Sequence, residues 1–156
     1  MSQSLSQIYI HAVFSTKDRT RVIAYPQLRD SLNAYAAGIL NNLACRAVIV
    51  GSVIDHMHAL FRLGRTAAVA DVVGTLKKRT SVWIKDQNTQ VKDPFLVKFA
   101  WQAGYGAFSV SASKVEDVRA YIAGQEEHHR RQGFQEEYRE FLTRYGIEFD
   151  EKYVWD

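Results

Sequence analysis

Apolar and polar side chains alternate along four stretches of the chain, and a period of two is the pattern of half-buried β-strands. The stretches are residues 6–16, 45–54, 56–64 and 107–111. The second of them, CRAVIVGSVI, is rich in β-branched side chains, which are common in strands. We therefore expect a sheet of four strands.

Helical spacing of apolar residues predicts helices between and after these strands. Pro26 stands at the first helical position of one segment and Thr66 at the N-cap of another. Ser113 and Glu116 form a capping box before a third helix, which Gly133 closes. The predicted helices are residues 26–44, about 67–87, 114–133 and, as a short amphipathic helix, 134–146.

The resulting order, β-α-β-β-α-β followed by helices, is the ferredoxin-like arrangement shared with the RNA-recognition motif. The predicted fold class is α+β, with helices on one side of an antiparallel sheet and added helices at the C-terminus. With 156 residues, 47% of them hydrophobic, we expect a single domain over residues 1–156. The sheet face without helices would be an open platform for nucleic acid.

Charge is spread unevenly, although the formal net charge is only +3. Residues 62–98 hold eight basic and three acidic side chains, a balance of +5, whereas residues 133–156 hold three basic and seven acidic ones, a balance of −4. A basic centre beside an acidic tail indicates a surface that binds a polyanion.

Location is indicated by what the chain lacks. Cys45 is the one cysteine and can form no internal disulfide, which favours a reducing cytoplasm. The start has no basic leader, and no apolar run is long enough to cross a bilayer. We expect a cytoplasmic protein without a membrane partner.

The stretch DHMHALF, residues 55–61, places two histidines inside a predicted strand. Because alternate side chains of a strand share a face, Met57 and Phe61 define the core face and His56 and His58 point away from it. The α-carbons of the two histidines would lie ~7 Å apart, so both rings can reach one metal ion. The alternative is a pair of exposed surface histidines.

The third predicted helix carries a tyrosine and an amide on one face. Tyr121 and Gln125 are four residues apart, and His128 lies approximately on the same face. Tyrosine is a covalent nucleophile in some enzymes but is poor at its free pKa of about 10, so it needs help. Packing or solvent exposure is the alternative explanation for such a pair.

These residues carry a resemblance to a known family. His56, Met57 and His58 resemble the HUH motif (His, hydrophobe, His) of nucleases that cut single-stranded DNA, and Tyr121 with Gln125 resembles their single-tyrosine motif. Together with YIHAVFSTKDR near the start and WQAGYGAFSVS before the tyrosine helix, the chain resembles the transposases of the insertion-sequence 200/605 class over essentially its whole length.

The resemblance implies a mechanism and a set of partners. His56, His58 and Gln125 would hold one Mg²⁺ or Mn²⁺, and Tyr121 would attack a phosphodiester of single-stranded DNA, leaving a 5′-phosphotyrosine bond and a free 3′-hydroxyl. A second 3′-hydroxyl would then rejoin the strand. Members of the class act as homodimers on DNA with hairpin ends, in the cytoplasm of bacteria or archaea.

Family helices with basic faces contact the DNA hairpins. The outer face of the second predicted helix would show Lys77, Lys78 and Lys85. By position, the first candidates for the DNA contacts are Lys77, Lys78, Arg79 and Lys85, and the second are Lys17, Arg19 and Arg21. Because Mg²⁺ is a hard ion and imidazole is a softer ligand, we expect Mn²⁺ to support equal or better activity.

Three other functions are compatible with parts of the pattern. The same sheet could serve as a non-catalytic module that binds single-stranded nucleic acid, without need of Tyr121 or a metal. A domesticated relative could cleave host repeat hairpins without moving an element. A hydrolytic metalloenzyme would need a general base near the metal, for which Glu126 and Glu127 are the candidates.

Overall fold

The computed structural model describes residues 2–21, 23–91 and 93–156, so Lys92, one of the bases of the basic segment, lies outside the described residues. The described elements follow the predicted order. They are β1 (Tyr9–Ser15), α1 (Pro26–Asn42), β2 (Ala47–Ser52), β3 (His56–Arg62), α2 (Val69–Val91), α3 (Pro94–Val97), β4 (Gly106–Val110), α4 (Val115–Ala123), α5 (Gln125–His129) and α6 (Phe134–Arg144).

The four strands form one antiparallel sheet in the order β2-β3-β1-β4. The central strand β1 aligns Val13 with His58 of β3 on one side and with Gly106 of β4 on the other. This arrangement confirms the predicted α+β, ferredoxin-like fold, in which consecutive strands are connected either by a helix or by a short turn.

The main core lies between one face of the sheet and helices α1 and α2. Strand residues Phe14, Met57 and Phe61 meet Leu32 of α1 and Leu76 of α2, and each of these side chains is fully buried. Burying one large apolar side chain stabilises a protein by about 1.5–3 kcal/mol. The apolar stripes predicted for these two helices therefore supply most of the packing on this face.

The second face of the sheet is covered by the C-terminal helices. Helix α6 places Phe134, Tyr138 and Leu142 against Val13 and Phe108, and helix α4 packs on the neighbouring strands. The expectation of an open platform is therefore wrong. An amphipathic helix must bury its apolar stripe, and this sheet face is where α6 does so.

Two predicted helix starts differ from the structure. Thr66 does not cap α2, because the backbone N–H of Ala67 donates to the carbonyl of Gly64 in a turn and the helix begins at Val69. Ser113 lies in a 3-10 turn before α4, where its hydroxyl contacts that of Ser111 at 3.3 Å instead of capping the helix.

The helix predicted over residues 114–133 is divided into α4 and α5 by Gly124, whose backbone angles (φ −91°, ψ 13°) leave the helical region. Gly133 does not close this helix but stands at the N-cap of α6 with extended backbone. After this division α5 carries His129, whose ring lies 4.3 Å from that of His56, between centroids.

The C-terminal tail contacts both α6 and the segment that leads into β4. The carbonyl oxygen of Asp156 accepts a 2.7 Å hydrogen bond from the backbone N–H of Gly104, next to β4. The ring of Trp155 packs 5.9 Å from that of Tyr138 and 6.5 Å from that of Phe134, between centroids.

Within the described ranges, no helix combines the length and the hydropathy that a membrane span requires.

Candidate functional site

Two histidine side chains project from strand β3 on the side away from the main core. His56 and His58 are fully buried, with ring centroids 5.1 Å apart, whereas Met57 between them packs in the main core. The predicted direction of these side chains is therefore confirmed. The alternative of an exposed pair is wrong, because rings of His129 and Phe134 lie over His56.

Two further side chains reach these histidines from the C-terminal helices. Glu137 of α6 places Oε1 2.9 Å from Nε2 of His58 and 3.6 Å from Nε2 of His56. Its other oxygen, Oε2, lies 3.0 Å from Nε2 of His129 in α5. Ligand atoms of His56, His58, His129 and Glu137 all lie within 4.8 Å of one another, and we call these residues the His–Glu cluster.

Several atoms of the His–Glu cluster are buried without a hydrogen bond. Nε2 of His56, Nε2 of His58 and Oε1 of Glu137 have none within the described residues, although the last two atoms are 2.9 Å apart. They are thus close without the angle that a hydrogen bond requires. Unpaired buried polar atoms cost about 1–3 kcal/mol each. Three imidazoles and a carboxylate converging in this way fit a divalent first-row metal ion.

Each strand histidine also has a partner at its other ring nitrogen. Oδ1 of Asp55 lies 2.7 Å from Nδ1 of His56, and Nε2 of His11 lies 2.8 Å from Nδ1 of His58. Metal-binding histidines usually donate a hydrogen bond from the nitrogen that does not bind the ion, which fixes the ring orientation. Both Nε2 atoms are consequently left for the His–Glu cluster.

Burial and mutual contacts set the charges of these groups. Burial alone would lower the pKa of His56, but the carboxylates of Asp55 and Glu137 raise it above its ordinary value. Burial lowers the pKa of His58 to about 4. Burial opposes ionisation of Glu137, yet the histidines around it hold its pKa well below its usual range. Glu137 is therefore ionised and His58 neutral near pH 7, the forms that bind metals.

Tyr121 contacts the carboxylate of Glu137 in the His–Glu cluster. The Tyr121 hydroxyl donates a 2.5 Å hydrogen bond to Oε2 of Glu137, and its ring lies edge-on to that of His58 with centroids 6.0 Å apart. Burial and the neighbouring Glu137 raise the pKa of Tyr121 above its ordinary value. The phenol is therefore protonated, and its hydrogen bond to Glu137 fixes the direction of the hydroxyl.

Gln125 lies beside the His–Glu cluster, one hydrogen bond away. Its Oε1 is 2.7 Å from Nε2 of His129, and its Nε2 donates at 3.3 Å to the backbone carbonyl of Tyr121. The predicted proximity of Tyr121 and Gln125 thus survives the break between α4 and α5. In this arrangement Gln125 orients His129, and its service as a metal ligand stays a prediction.

A cavity of about 560 Å³ opens at Tyr121. Phe141 lines it with Tyr121. The charged side chains of its wall are of both signs, the basic ones being Lys114 and Arg144 and the acidic ones Asp117, Glu137 and Glu140. The ring of Tyr121 therefore forms part of the wall of this cavity.

The basic residues expected to contact DNA fall in two places. Lys78, Arg79 and Lys85 are exposed on α2, which packs on the sheet face opposite the His–Glu cluster. Lys17 and Arg21 are exposed in the segment after β1, and Arg19 lies 6.0 Å over the ring of Trp155. The DNA contacts of these residues stay predictions.

Lys77 has a different environment from its neighbours on α2. Its Nζ donates to the backbone carbonyls of Gln102, Ala103 and Gly104 at 3.0, 3.2 and 2.5 Å. Burial lowers its pKa to about 8. The expectation that Lys77 lies on the outer face of α2 is wrong, because it turns inward to hold the loop before β4.

Sequence reasoning did not identify Glu137 or His129 as neighbours of the strand histidines. The available signal is the position of Glu137 in helix α6. Glu137 has apolar neighbours at helical spacing: Phe134 precedes it by three residues, and Tyr138 and Phe141 follow it by one and four. This acid therefore falls within the apolar stripe of the helix. A carboxylate in such a stripe is buried, and buried charges need partners.

The family described as Transposase IS200 like matches residues 4–125 of the chain. The matched range contains both strand histidines, Tyr121 and Gln125, and it ends before His129 and Glu137. None of the curated proteins matches the chain.

Two solved structures are similar to this one. The crystal structure of a candidate transposase from Deinococcus radiodurans R1 has a TM-score of 0.62 and 20% identity over 80% of this chain and 98% of that chain. The structure of a REP-associated tyrosine transposase bound to a REP hairpin has a TM-score of 0.46 and 12% identity over 78% of this chain and 68% of that chain. At these identities the first likeness establishes the fold.

Proposed function

The chain belongs to the IS200-like transposase family, and we propose that it cuts and rejoins single-stranded DNA through a covalent bond to Tyr121. The observation that carries this proposal is the hydrogen bond between the Tyr121 hydroxyl and Glu137. It holds the nucleophile beside four convergent ligand atoms, at the mouth of the cavity that would receive the DNA.

The His–Glu cluster would hold the metal, with Gln125 as the further ligand that the family resemblance implies. A bound Mg²⁺ or Mn²⁺ would supply positive charge that polarises the scissile phosphate and stabilises the departing oxygen. His56 is held for this task by Asp55. The donor set favours Mn²⁺ over Mg²⁺.

Tyr121 and Glu137 carry out the covalent step. As the Tyr121 oxygen bonds to phosphorus, the bond from phosphorus to the 3′ oxygen breaks. Glu137 orients the phenol through their hydrogen bond, the phenol proton is released to water, and the 3′ oxygen takes up a proton from water. His128 lies with Nε2 3.4 Å from Oε2 of Glu137 and lines the same cavity as Tyr121. A 3′-hydroxyl of a second strand then attacks the phosphotyrosine and releases Tyr121 with its proton restored.

The wider setting is part of the same proposal. The DNA partner is single-stranded and has hairpin ends, bound by the exposed bases of α2 or of the segment after β1. Residues 1–156 act as one domain, and two copies form a homodimer in the cytoplasm of a bacterium or archaeon. A domesticated enzyme that acts on host repeat hairpins would use the same chemistry on another target.

The decisive experiment mixes purified protein with end-labelled single-stranded DNA from the flanks of its own element and with Mn²⁺ or Mg²⁺. We expect a metal-dependent covalent protein–DNA band on a denaturing gel, absent from Tyr121→Phe and retained in Tyr153→Phe, which alters an exposed tyrosine of the tail. A band that persists in Tyr121→Phe would move the nucleophile elsewhere. Binding of DNA without any band would favour a non-catalytic binding module.

A further inference from the structure

His11 is a buried imidazole for which the covalent chemistry above has no direct use. It lies on the central strand β1 and is 1% exposed. Its ring packs among aromatic residues, edge-on to Phe141 at 5.3 Å and tilted against Phe108 at 6.3 Å. An apolar side chain would fill this space without the cost of burying two ring nitrogens. The polar contact of His11 with His58 is therefore the feature to explain.

The strand register places His11 diagonally across from His58. The α-carbon of His11 is opposite Leu60, two residues from His58, so both histidines project from the same face of adjacent strands. Their rings stack with centroids 5.0 Å apart and an interplanar angle of 26°. Nε2 of His11 and Nδ1 of His58 are separated by 2.8 Å, the distance of a hydrogen bond.

The direction of this hydrogen bond follows from what His58 must do. A metal-binding imidazole offers a lone pair, so Nε2 of His58, which points into the His–Glu cluster, cannot carry the proton. The proton of a neutral His58 is then on Nδ1, which donates it to Nε2 of His11. For its Nε2 to accept, a neutral His11 must carry its own proton on Nδ1.

We propose that His11 is a positioning residue that holds His58, through an N–H···N hydrogen bond, in the tautomer and orientation that bind metal. The proposal rests on the proposed function only in requiring that the His–Glu cluster binds a divalent ion. It gives the two strand histidines different partners. Asp55 accepts from His56 as a carboxylate, whereas His11 accepts from His58 as a neutral ring.

Three variants separate a hydrogen-bonding role from simple packing. His11→Phe removes the acceptor and keeps a ring, and His11→Gln restores an acceptor oxygen near the position of Nε2. Phe108→Leu alters a ring packed against His11 and leaves the hydrogen bond in place. Metal affinity is measured on the full chain without DNA, by following the visible absorption of added Co²⁺, and thermal unfolding in EDTA checks that each variant is folded.

We expect His11→Phe to weaken Co²⁺ binding about 10- to 100-fold, the usual effect of losing a partner of a metal-bound histidine. His11→Gln should recover most of the affinity, and Phe108→Leu should bind like the wild type. Equal affinity in His11→Phe and the wild type would overturn the role of His11 while leaving the proposed function intact. A wild-type chain that binds no Co²⁺ would overturn both.

Nitrogen-15 NMR of the histidine rings in the Zn²⁺-loaded chain provides a second readout, which a packing role would not influence. We expect His11 to carry its proton on Nδ1 with an unprotonated Nε2, and Nδ1 of His58 to be protonated. A proton on Nε2 of His11 in that state would contradict the proposed direction of the hydrogen bond. It would also overturn the positioning role, because His58 would then have no acceptor.

Discussion

Strand β3 presents two different surfaces on the two faces of the same sheet. Met57 and Phe61 point to the face covered by α1 and α2, where the described contacts are almost entirely apolar. His56 and His58 point to the face covered by α5 and α6, where imidazoles surround the carboxylate of Glu137. Both faces are equally well buried, so burial alone does not distinguish them.

The difference lies in what each face does for the free energy of folding. Apolar burial on the first face stabilises the fold without any bound ligand. On the second face, buried polar atoms lack hydrogen bonds, which costs stability until a ligand satisfies them. The first face thus stabilises the fold without a ligand, whereas the second carries polar atoms whose burial costs stability unless a ligand binds them.

The largest effect is expected from Phe61→Ala on the apolar face. Truncating a fully buried phenylalanine typically costs about 3–5 kcal/mol because it removes burial and leaves a cavity. Urea unfolding in EDTA measures this loss. At a temperature where the variant remains folded, its Mn²⁺ affinity should equal that of the wild type. A folded Phe61→Ala chain that no longer binds Mn²⁺ would show that the two faces are not independent.

Glu137→Gln is expected to have the opposite profile. It should lower Mn²⁺ affinity at least ~100-fold, about 2.7 kcal/mol, because a neutral amide replaces the charged ligand. The free energy of unfolding in EDTA should change much less than in Phe61→Ala. Titration calorimetry measures the affinity, and Glu136→Gln, which changes an exposed neighbour, is the matched control. Unchanged affinity in Glu137→Gln would remove Glu137 from the ligands.

Metal addition should stabilise the wild-type chain through the second face alone. At a free Mn²⁺ concentration 100 times the dissociation constant, linkage raises the free energy of unfolding by about 2.7 kcal/mol. Thermal unfolding with Mn²⁺, with Mg²⁺ and with EDTA measures the change, and His58→Ala should abolish it.

We expect Mn²⁺ to support DNA cleavage at least as well as Mg²⁺. Cleavage with Mg²⁺ and none with Mn²⁺ would contradict the assignment of the histidines as metal ligands.

The smallest effects are expected on α2, where two adjacent lysines differ. Lys78→Ala removes an exposed charge, and it should weaken DNA binding modestly and reduce the dependence of log affinity on log salt by about 1. Lys77→Ala removes the contacts to the loop before β4, and it should lower stability more than DNA affinity. Binding measured at several salt concentrations, with unfolding in parallel, compares the two. Equal salt slopes for the wild type and Lys78→Ala would exclude that lysine from the DNA surface.

Local patterns were sufficient for the parts of the fold that depend on neighbouring residues. Alternation placed His56 and His58 on the face away from the main core, and helical spacing kept Tyr121 near Gln125. The capping interactions were wrong at Thr66 and Ser113, because each residue joins a turn that a short motif does not reveal. Competition between a cap and a turn is decided by the chain on both sides.

The sequence by itself determined the order of the strands and helices, the amphipathic faces and the family motifs, since each depends on spacing along the chain. Only the tertiary structure decided that Glu137 and His129 lie beside the strand histidines, that His11 contacts His58, and that Lys77 faces inward. Glu137 is 79 residues from His58 in the chain. Contacts over such separations form when α6 packs onto the sheet, because burying its apolar stripe carries the carboxylate into place.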